Sequence, residues 1–193
     1  MTYIYVASFP FQVENKEIIP ESRDAEIKNT KNPAHKAQKY YAWKLLEKVI
    51  CDNFSKSFDS FSFSKSDGGK WQCPDFYFSL SHTKNCVAVI VSDIPCGIDV
   101  EVCAPQRFGE KLAKKIMNSA EYEKYSELQE DEKTFFALEM WTKKESIFKM
   151  LSEKTFISKN IDTNLYFSQF CIINEIGLSF ALEKEDEIKY IIM

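Results

Sequence analysis

The sequence predicts an α+β protein. Residues 85–92 are nearly all apolar, which is typical of a strand buried on both faces. A helical pattern runs from about Asp131 to about Leu151 and indicates one long helix. Three strand-like runs follow it, at 165–173, 178–183 and 187–193, and are expected to close a sheet. With 193 residues, the chain can bury a sizeable core in one large or two small domains.

Earlier parts of the chain carry both strand and helix signals. The predicted elements are a strand (2–7), a loop with a short helix (13–32), a helix (33–51), a strand (58–63), a hairpin turn (67–69) and a return strand (76–82). Pro33 occupies an acceptable first-turn position of its helix. Alternation of Phe and Ser predicts the strand over 58–63, and Asp-Gly-Gly predicts the turn that follows it.

Composition excludes several classes of protein. The net charge of −4 argues against a general nucleic-acid binder. No apolar run approaches the ~20 residues that span a bilayer, and the N-terminus lacks a signal-peptide pattern. The six cysteines are scattered and only His35 and His82 could assist them, so we expect no zinc site. Reduced thiols predict a cytoplasmic protein, and we expect a monomer with no membrane contact.

Two carboxylates stand two residues apart in GIDVE at positions 97–101. Because strand side chains alternate, we expect Asp99 and Glu101 on one face and Ile98 and Val100 on the other. Neighbouring carboxylates repel each other unless a cation lies between them, and oxygen ligands suit Mg²⁺. An exposed strand with a solvated acidic face has the same pattern, so the pentapeptide alone leaves both interpretations open.

A second charged group lies within the long helical pattern, in WTKKESIFK at 141–149. At 3.6 residues per turn, Glu145 falls on the same side as the apolar Trp141 and Phe148. A carboxylate on an apolar side is costly unless a cation or hydrogen-bond donors compensate it. An ordinary surface pair with Lys149, worth roughly 0.2–0.5 kcal/mol, explains the spacing but not the apolar position of Glu145.

The order and spacing of these motifs resemble the 4′-phosphopantetheinyl transferase superfamily. The resemblance is closest to its larger single-chain type, which activates peptide and polyketide synthases. Glu145 lies 44 positions downstream of Glu101, and Ser81-His82 and Gly69-Lys70 upstream also look like motifs of the family. The resemblance implies two similar α/β subdomains related by a pseudo-twofold axis, with a boundary near residues 93–97. We therefore expect an N-terminal subdomain (1–95) that contacts the coenzyme A nucleotide and a C-terminal subdomain (96–193) with the metal site and catalytic helix.

The resemblance also implies an activity. The chain is expected to transfer 4′-phosphopantetheine from coenzyme A to a serine of an acyl or peptidyl carrier protein, with Mg²⁺ as cofactor and 3′,5′-ADP as the second product. Fatty acid, polyketide and nonribosomal peptide synthesis all remain open as the pathway served. Two other functions stay open: a noncatalytic relative that binds carrier protein or coenzyme A, and a metal-dependent phosphohydrolase.

Site residues carried over from the family fall into three groups: Asp99, Glu101 and Glu145 for the metal; Glu145, Lys149 and Lys144 for catalysis; Lys70, Ser81, His82, Lys31 and Lys39 for coenzyme A. Glu145, or a metal-bound water that it holds, is the expected base. Lys149 is expected to contact phosphates, and Lys144 to orient Glu145 or contact phosphate. For Lys31 and Lys39, a solvated lysine run is the alternative.

Carrier proteins in reactions of this family present an acidic helix, so the resemblance also implies a basic docking surface. Four basic residues lie along one face of the helix predicted at 107–117: Arg107, Lys111, Lys114 and Lys115. A core-packed surface helix with a solvated basic side explains the same pattern. Three apolar residues beside it are expected to add a docking patch: Met117, Tyr122 and Leu128.

Overall fold

A computed structural model describes residues 1–13 and 16–193 and shows the predicted α+β fold. Residues 14 and 15, within the loop predicted at 13–32, lie outside this description. The described chain forms two compact units, one of Met1–Pro95 with Asp186–Met193 and the other of Cys96–Glu185. Their boundary falls within the predicted region 93–97. The last eight residues, expected in the second subdomain, belong to the first unit, because their strand pairs there. The pseudo-twofold relation stays a prediction.

The first unit is built on a sheet with the strand order β4-β5-β1-β9. Its strands are β1 (Thr2–Ser8), β4 (Tyr77–Thr83), β5 (Cys86–Ser92) and β9 (Ile188–Ile192), and its helices are α1 (Glu21–Lys28) and α2 (Pro33–Asn53). Every residue of β5 is buried, as its apolar run predicts. Asn32 caps the start of helix α2, because its side chain accepts hydrogen bonds from two backbone amides of the first turn. The helix packs against β4 and β5.

The core of the first unit is aromatic. Trp43 of α2 is fully buried, and its ring centroid lies 5.2 Å from those of Phe63 and Trp71. The strand predicted over 58–63 is wrong: Phe58–Ser60 is a 3-10 turn, and the phenylalanines of this stretch turn their rings into the core. The predicted hairpin turn is confirmed. It joins the short strands β2 (Ser64–Lys65) and β3 (Trp71–Gln72), with Gly69 at a φ of +79°.

The second unit places a long helix on a sheet with the strand order β6-β8-β7. Its elements are β6 (Cys96–Val102), α3 (Glu110–Ile116), α4 (Ser119–Glu127), α5 (Glu130–Leu151), β7 (Phe167–Ile173) and β8 (Ile176–Leu182). Helix α4 starts with a capping box between Asn118 and Glu121. Helix α5 is the long helix that the sequence predicted.

The final strand-like run does not close this second sheet. Strand β9 pairs in parallel with β1, with Thr2 opposite Ile188 and Val6 opposite Ile192. The apolar pattern of residues 187–193 predicted a strand correctly, but it carried no information about the partner strand. Among the residues that the structure describes, no helix combines the length and apolarity needed to cross a membrane.

Candidate active site on strand β6 and helix α5

Strand β6 and helix α5 approach each other closely at Gly97. A Cβ atom at this position would overlap the carbonyl oxygen of Ser146 and lie 2.6 Å from the backbone nitrogen of Met150. Only glycine permits this approach, because it has no side chain. Residues 97, 99 and 101 share one face of the strand, so the same face that Gly97 turns to α5 carries Asp99 and Glu101. The strand therefore brings both carboxylates to the helix.

Small polar residues on α5 complete this contact. Thr142 and Ser146 are fully buried, and the Thr142 hydroxyl lies 2.7 Å from that of Ser179 on β8. The hydroxyl of Ser146 donates a hydrogen bond to the carbonyl oxygen of Lys143 within the helix. Each buried hydroxyl is thus satisfied locally, and the helix can lie flat on the sheet.

Asp99 is bonded to a lysine of the helix. The ammonium of Lys149 lies 2.7 Å from Oδ1 of Asp99 and donates a second hydrogen bond, 3.0 Å long, to the carbonyl oxygen of Ile98. The Asp99 side chain is buried, whereas Lys149 is partly exposed. The pair therefore places one positive charge at the edge of the contact between β6 and α5.

Glu101 is bonded to an arginine. Both oxygens of Glu101 accept hydrogen bonds of 2.7 Å from the guanidinium of Arg107, in a bidentate pair. This guanidinium also lies over two aromatic rings, 5.1 Å from the ring centroid of Phe108 and 5.7 Å from that of Trp141. Arg107 was expected on the docking face of α3. The structure instead places it in the loop before α3, against Glu101.

Glu145 of α5 is half-buried. The pKa of Glu145 is raised to about 6, mainly by burial; the negative charges of Asp99 and Glu101 also raise this pKa, whereas the positive charges of Lys149 and Arg107 lower it. All four charged groups therefore lie within electrostatic range of this carboxylate. The convergence of Asp99, Glu101 and Glu145 on one metal ion stays a prediction.

The chemistry of these three side chains fits Mg²⁺, which prefers carboxylate oxygens. Within residues 1–13 and 16–193, however, no group of three or more His, Cys, Asp or Glu side chains is already positioned to hold a metal ion. Lys149 and Arg107 bond to two of the three carboxylates at the places where a cation is expected. The donor types thus suit the metal, and the assignment of these residues as ligands stays a prediction.

Lys144 points away from these carboxylates. It is 0% exposed; its ammonium lies 2.8 Å from Oε2 of Glu121 and donates hydrogen bonds to the carbonyl oxygens of Ser158 and Ile161. A lysine held in this way cannot reach a phosphate from solvent. The expectation that Lys144 contacts phosphate is therefore contradicted by the structure. Lys144 ties α5 to α4 and to the segment after the helix.

The coenzyme A residues predicted near β4 lie in the first unit. Ser81 is buried and His82 is exposed, on opposite faces of β4. Lys70 follows the turn at Gly69 and is half-buried, and its backbone pairs with that of Ser66. The phosphate contacts expected of Lys70, Ser81 and His82 therefore stay predictions.

The two predicted nucleotide lysines differ in environment. Lys31 is exposed before α2, whereas Lys39 lies 3.2 Å from Oε1 of Glu26. Glu26 also bonds to Arg23, Lys65 and the indole nitrogen of Trp71. Burial opposes ionisation of Glu26, but the bonds from Lys65 and Trp71, the charge of Arg23 and the bond from Lys39 together lower its pKa to about 2. The sequence analysis missed this carboxylate, because nothing in the local pattern of α1 distinguishes it.

The predicted docking surface is only partly present. Lys111, Lys114 and Lys115 are exposed on α3, and Lys114 pairs with Glu110 at 2.8 Å. The expectation that Met117 belongs to an apolar docking patch is wrong, because this residue is 2% exposed and packs in the core of the second unit. Tyr122 and Leu128 remain half-buried at the surface.

Two residues that the sequence analysis did not assign to the site shape it: Gly97 and Arg107. The glycine of GIDVE was a usable signal, because a conformationally permissive residue inside a buried strand often marks close backbone approach. Arg107 had a weaker signal, an arginine six residues beyond a carboxylate and separated from it by a short loop.

Together, the α+β fold and the pairing of carboxylates with cations beside β6 and α5 define a charged site in the second unit. Residues 95–186 match the family model described as the 4′-phosphopantetheinyl transferase superfamily. The chain is also 26% identical over 109 residues to 4′-phosphopantetheinyl transferase psf-1 of Bacillus pumilus. That alignment covers 55% of this chain and 46% of the relative, so the chain spans about half the length of this curated relative.

On these two matches, residues 95–186 resemble the 4′-phosphopantetheinyl transferase superfamily, and the resemblance inferred from the motifs is confirmed for this region. The matched region includes GIDVE, the loop with Arg107 and the whole of α5. It begins at the boundary between the two units.

Proposed function

We propose that this protein transfers the 4′-phosphopantetheine group of coenzyme A to a serine of an acyl or peptidyl carrier protein and releases 3′,5′-ADP. The single observation that supports this most directly is the grouping of Asp99, Glu101, Glu145 and Lys149 between β6 and α5. The resemblance of this region to the family supports the same reaction.

Asp99, Glu101 and Glu145 would hold Mg²⁺, which supplies positive charge to the diphosphate oxygens when bound. Lys149 would bond to the same diphosphate, because its partly exposed ammonium can exchange Asp99 for a phosphate oxygen. Its charge would stabilise the negative charge that develops on the departing 3′,5′-ADP.

Glu145 would act as the general base. The carrier serine hydroxyl attacks the phosphorus next to the pantetheine; the new bond joins the serine oxygen to phosphorus, and the bond from that phosphorus to the 3′,5′-ADP oxygen breaks. The serine proton passes to the Glu145 carboxylate. A pKa raised to about 6 suits this step, since the group is ionised at neutral pH yet basic enough to accept a proton.

The exposed lysines of α3 would guide the carrier. Lys111, Lys114 and Lys115 give this helix a basic surface in a chain whose net charge is −4. A local positive field attracts an acidic partner and raises its rate of association, most strongly at low salt.

The test is the mass of an apo carrier protein after incubation with this protein, coenzyme A and Mg²⁺. We expect a gain of one phosphopantetheine per carrier, no gain for a carrier with its serine replaced by alanine, and a gain greatly slowed by Asp99→Asn. Glu145→Gln is expected to lower kcat about 100-fold or more with little change in coenzyme A affinity.

The alternatives give different results in the same assay. Release of free phosphate with no change in carrier mass indicates a phosphohydrolase. Binding of coenzyme A or carrier without any product indicates a noncatalytic relative. Either result contradicts the proposal.

A further inference from the structure

Both carboxylates that β6 contributes to the site are bonded to cations of the protein itself. Arg107 donates hydrogen bonds of 2.7 Å to each oxygen of Glu101, and Lys149 lies 2.7 Å from Oδ1 of Asp99. A divalent cation that approaches these oxygens must compete with a guanidinium and an ammonium. The Arg107 side chain is 48% exposed and that of Glu101 is 18% exposed, so the strength of this pair comes from its bidentate geometry rather than from burial.

Arg107 holds Glu101 through the planar fork of its guanidinium. This fork donates hydrogen bonds to both oxygens of Glu101, and the ammonium of Lys149 donates one to Oδ1 of Asp99. The guanidinium is also supported by the rings of Phe108 and Trp141. A diphosphate can accept two hydrogen bonds from a guanidinium, as a carboxylate does. It can therefore replace Glu101 as the partner of Arg107, so that the positive charge stays paired.

We propose that Arg107 keeps Glu101 out of the metal site until a diphosphate arrives, so that the divalent cation and the diphosphate bind together. The inference rests on the proposed function, because it takes Asp99, Glu101 and Glu145 as the metal ligands. The arriving diphosphate accepts Arg107 and Lys149, and this exchange releases the carboxylate oxygens for the metal. Metal and diphosphate therefore strengthen each other's binding by the same factor.

The test measures binding of Mn²⁺ to the full chain by the electron paramagnetic resonance signal of the free ion, without and with coenzyme A. For the unmodified protein we expect weak binding of Mn²⁺ alone and a Kd at least about tenfold lower with coenzyme A. Arg107→Gln is expected to lower the Kd for Mn²⁺ alone about tenfold or more, because Glu101 is then released. The gain from coenzyme A should shrink in this variant.

Two further variants distinguish the effect of bidentate hydrogen bonding by Arg107 from the effect of its positive charge. Arg107→Lys keeps the positive charge but cannot form the bidentate pair, and we expect an intermediate Kd for Mn²⁺ alone. Lys111→Gln removes an equal charge from α3 and is expected to leave that Kd unchanged. Equal tightening by Arg107→Gln and Lys111→Gln would mean that net charge alone is responsible, and this overturns the inference.

The inference and the proposed function fail in different ways. If the unmodified protein binds Mn²⁺ alone as tightly as it does with coenzyme A, while transfer to a carrier proceeds, the inference is wrong and the function stands. If Mn²⁺ does not bind even with coenzyme A, the proposed metal site is wrong and the inference falls with it. Should Arg107→Gln not fold, the unmodified protein and Arg107→Lys still decide between these outcomes.

Discussion

The ammonium of Lys149 lies 2.7 Å from Oδ1 of Asp99 and 3.0 Å from the carbonyl oxygen of Ile98. These two bonds join the last turn of α5 to the middle of β6. The helical spacing had paired Lys149 with Glu145 one turn earlier. In the folded chain, the Lys149 ammonium instead bonds to the strand and contributes a positive charge to the site.

Replacing Lys149 by methionine should weaken both coenzyme A binding and catalysis. A charge-assisted hydrogen bond to a phosphate is worth about 1.5–3 kcal/mol, so we expect KM for coenzyme A to rise about tenfold or more. Steady-state kinetics of carrier modification measure this change. Lys149→Arg is the matched control and should retain much of the affinity. Unchanged KM and kcat in Lys149→Met would remove this residue from the site.

Replacing Gly97 by alanine should destabilise the second unit strongly. The added methyl group would overlap the backbone of α5 at Ser146, and neither backbone can shift without breaking the contact between strand and helix. Overpacking of this kind costs about 3 kcal/mol or more. Urea unfolding followed by circular dichroism measures the loss. Gly68→Ala is the control, since the nearest atom to its added carbon would be 3.8 Å away, and we expect little change there.

Replacing Lys144 by methionine should leave the buried carboxylate of Glu121 without its cation. Breaking a buried ion pair from one side costs about 3–5 kcal/mol. Thermal and urea unfolding of the variant provide the measurement. The double variant Lys144→Met/Glu121→Gln should recover part of the loss, because the uncompensated charge is then absent while the amide oxygen can still cap α4. Additive losses in the double variant would show that the pair is not coupled.

Glu26 should make the stability of the first unit depend on acidity. Its pKa is about 2 in the folded chain, below the ordinary value of 4.5, so its stabilisation is fully present above pH 4.5 and is lost as the pH falls towards 2. In full, this lowering of the pKa corresponds to about 3 kcal/mol, and solvent screening of the partly exposed carboxylate reduces that figure. We expect the free-energy difference between the unmodified protein and Glu26→Gln to shrink between pH 5 and pH 3. A difference that is constant over this range contradicts the bonding described for Glu26.

Local patterns were sufficient for much of the fold. The apolar run at 85–92, the long helical period ending at Leu151 and the hairpin turn at 67–69 all correspond to elements of the structure. Each depends on backbone geometry within a few residues, which a sequence expresses directly. Alternation in GIDVE likewise put Asp99 and Glu101 on one face before any partner was known.

The tertiary structure alone decided which groups meet. Lys144 and Glu145 are adjacent in the sequence, but a helix turns 100° per residue, and one side chain enters the core while the other faces β6. The pairing of Arg107 with Glu101, and of β9 with β1, depends on contacts between segments that carry no mark of their partners. Sequence therefore determined the types and faces of these residues, and the packing of distant segments determined their partners.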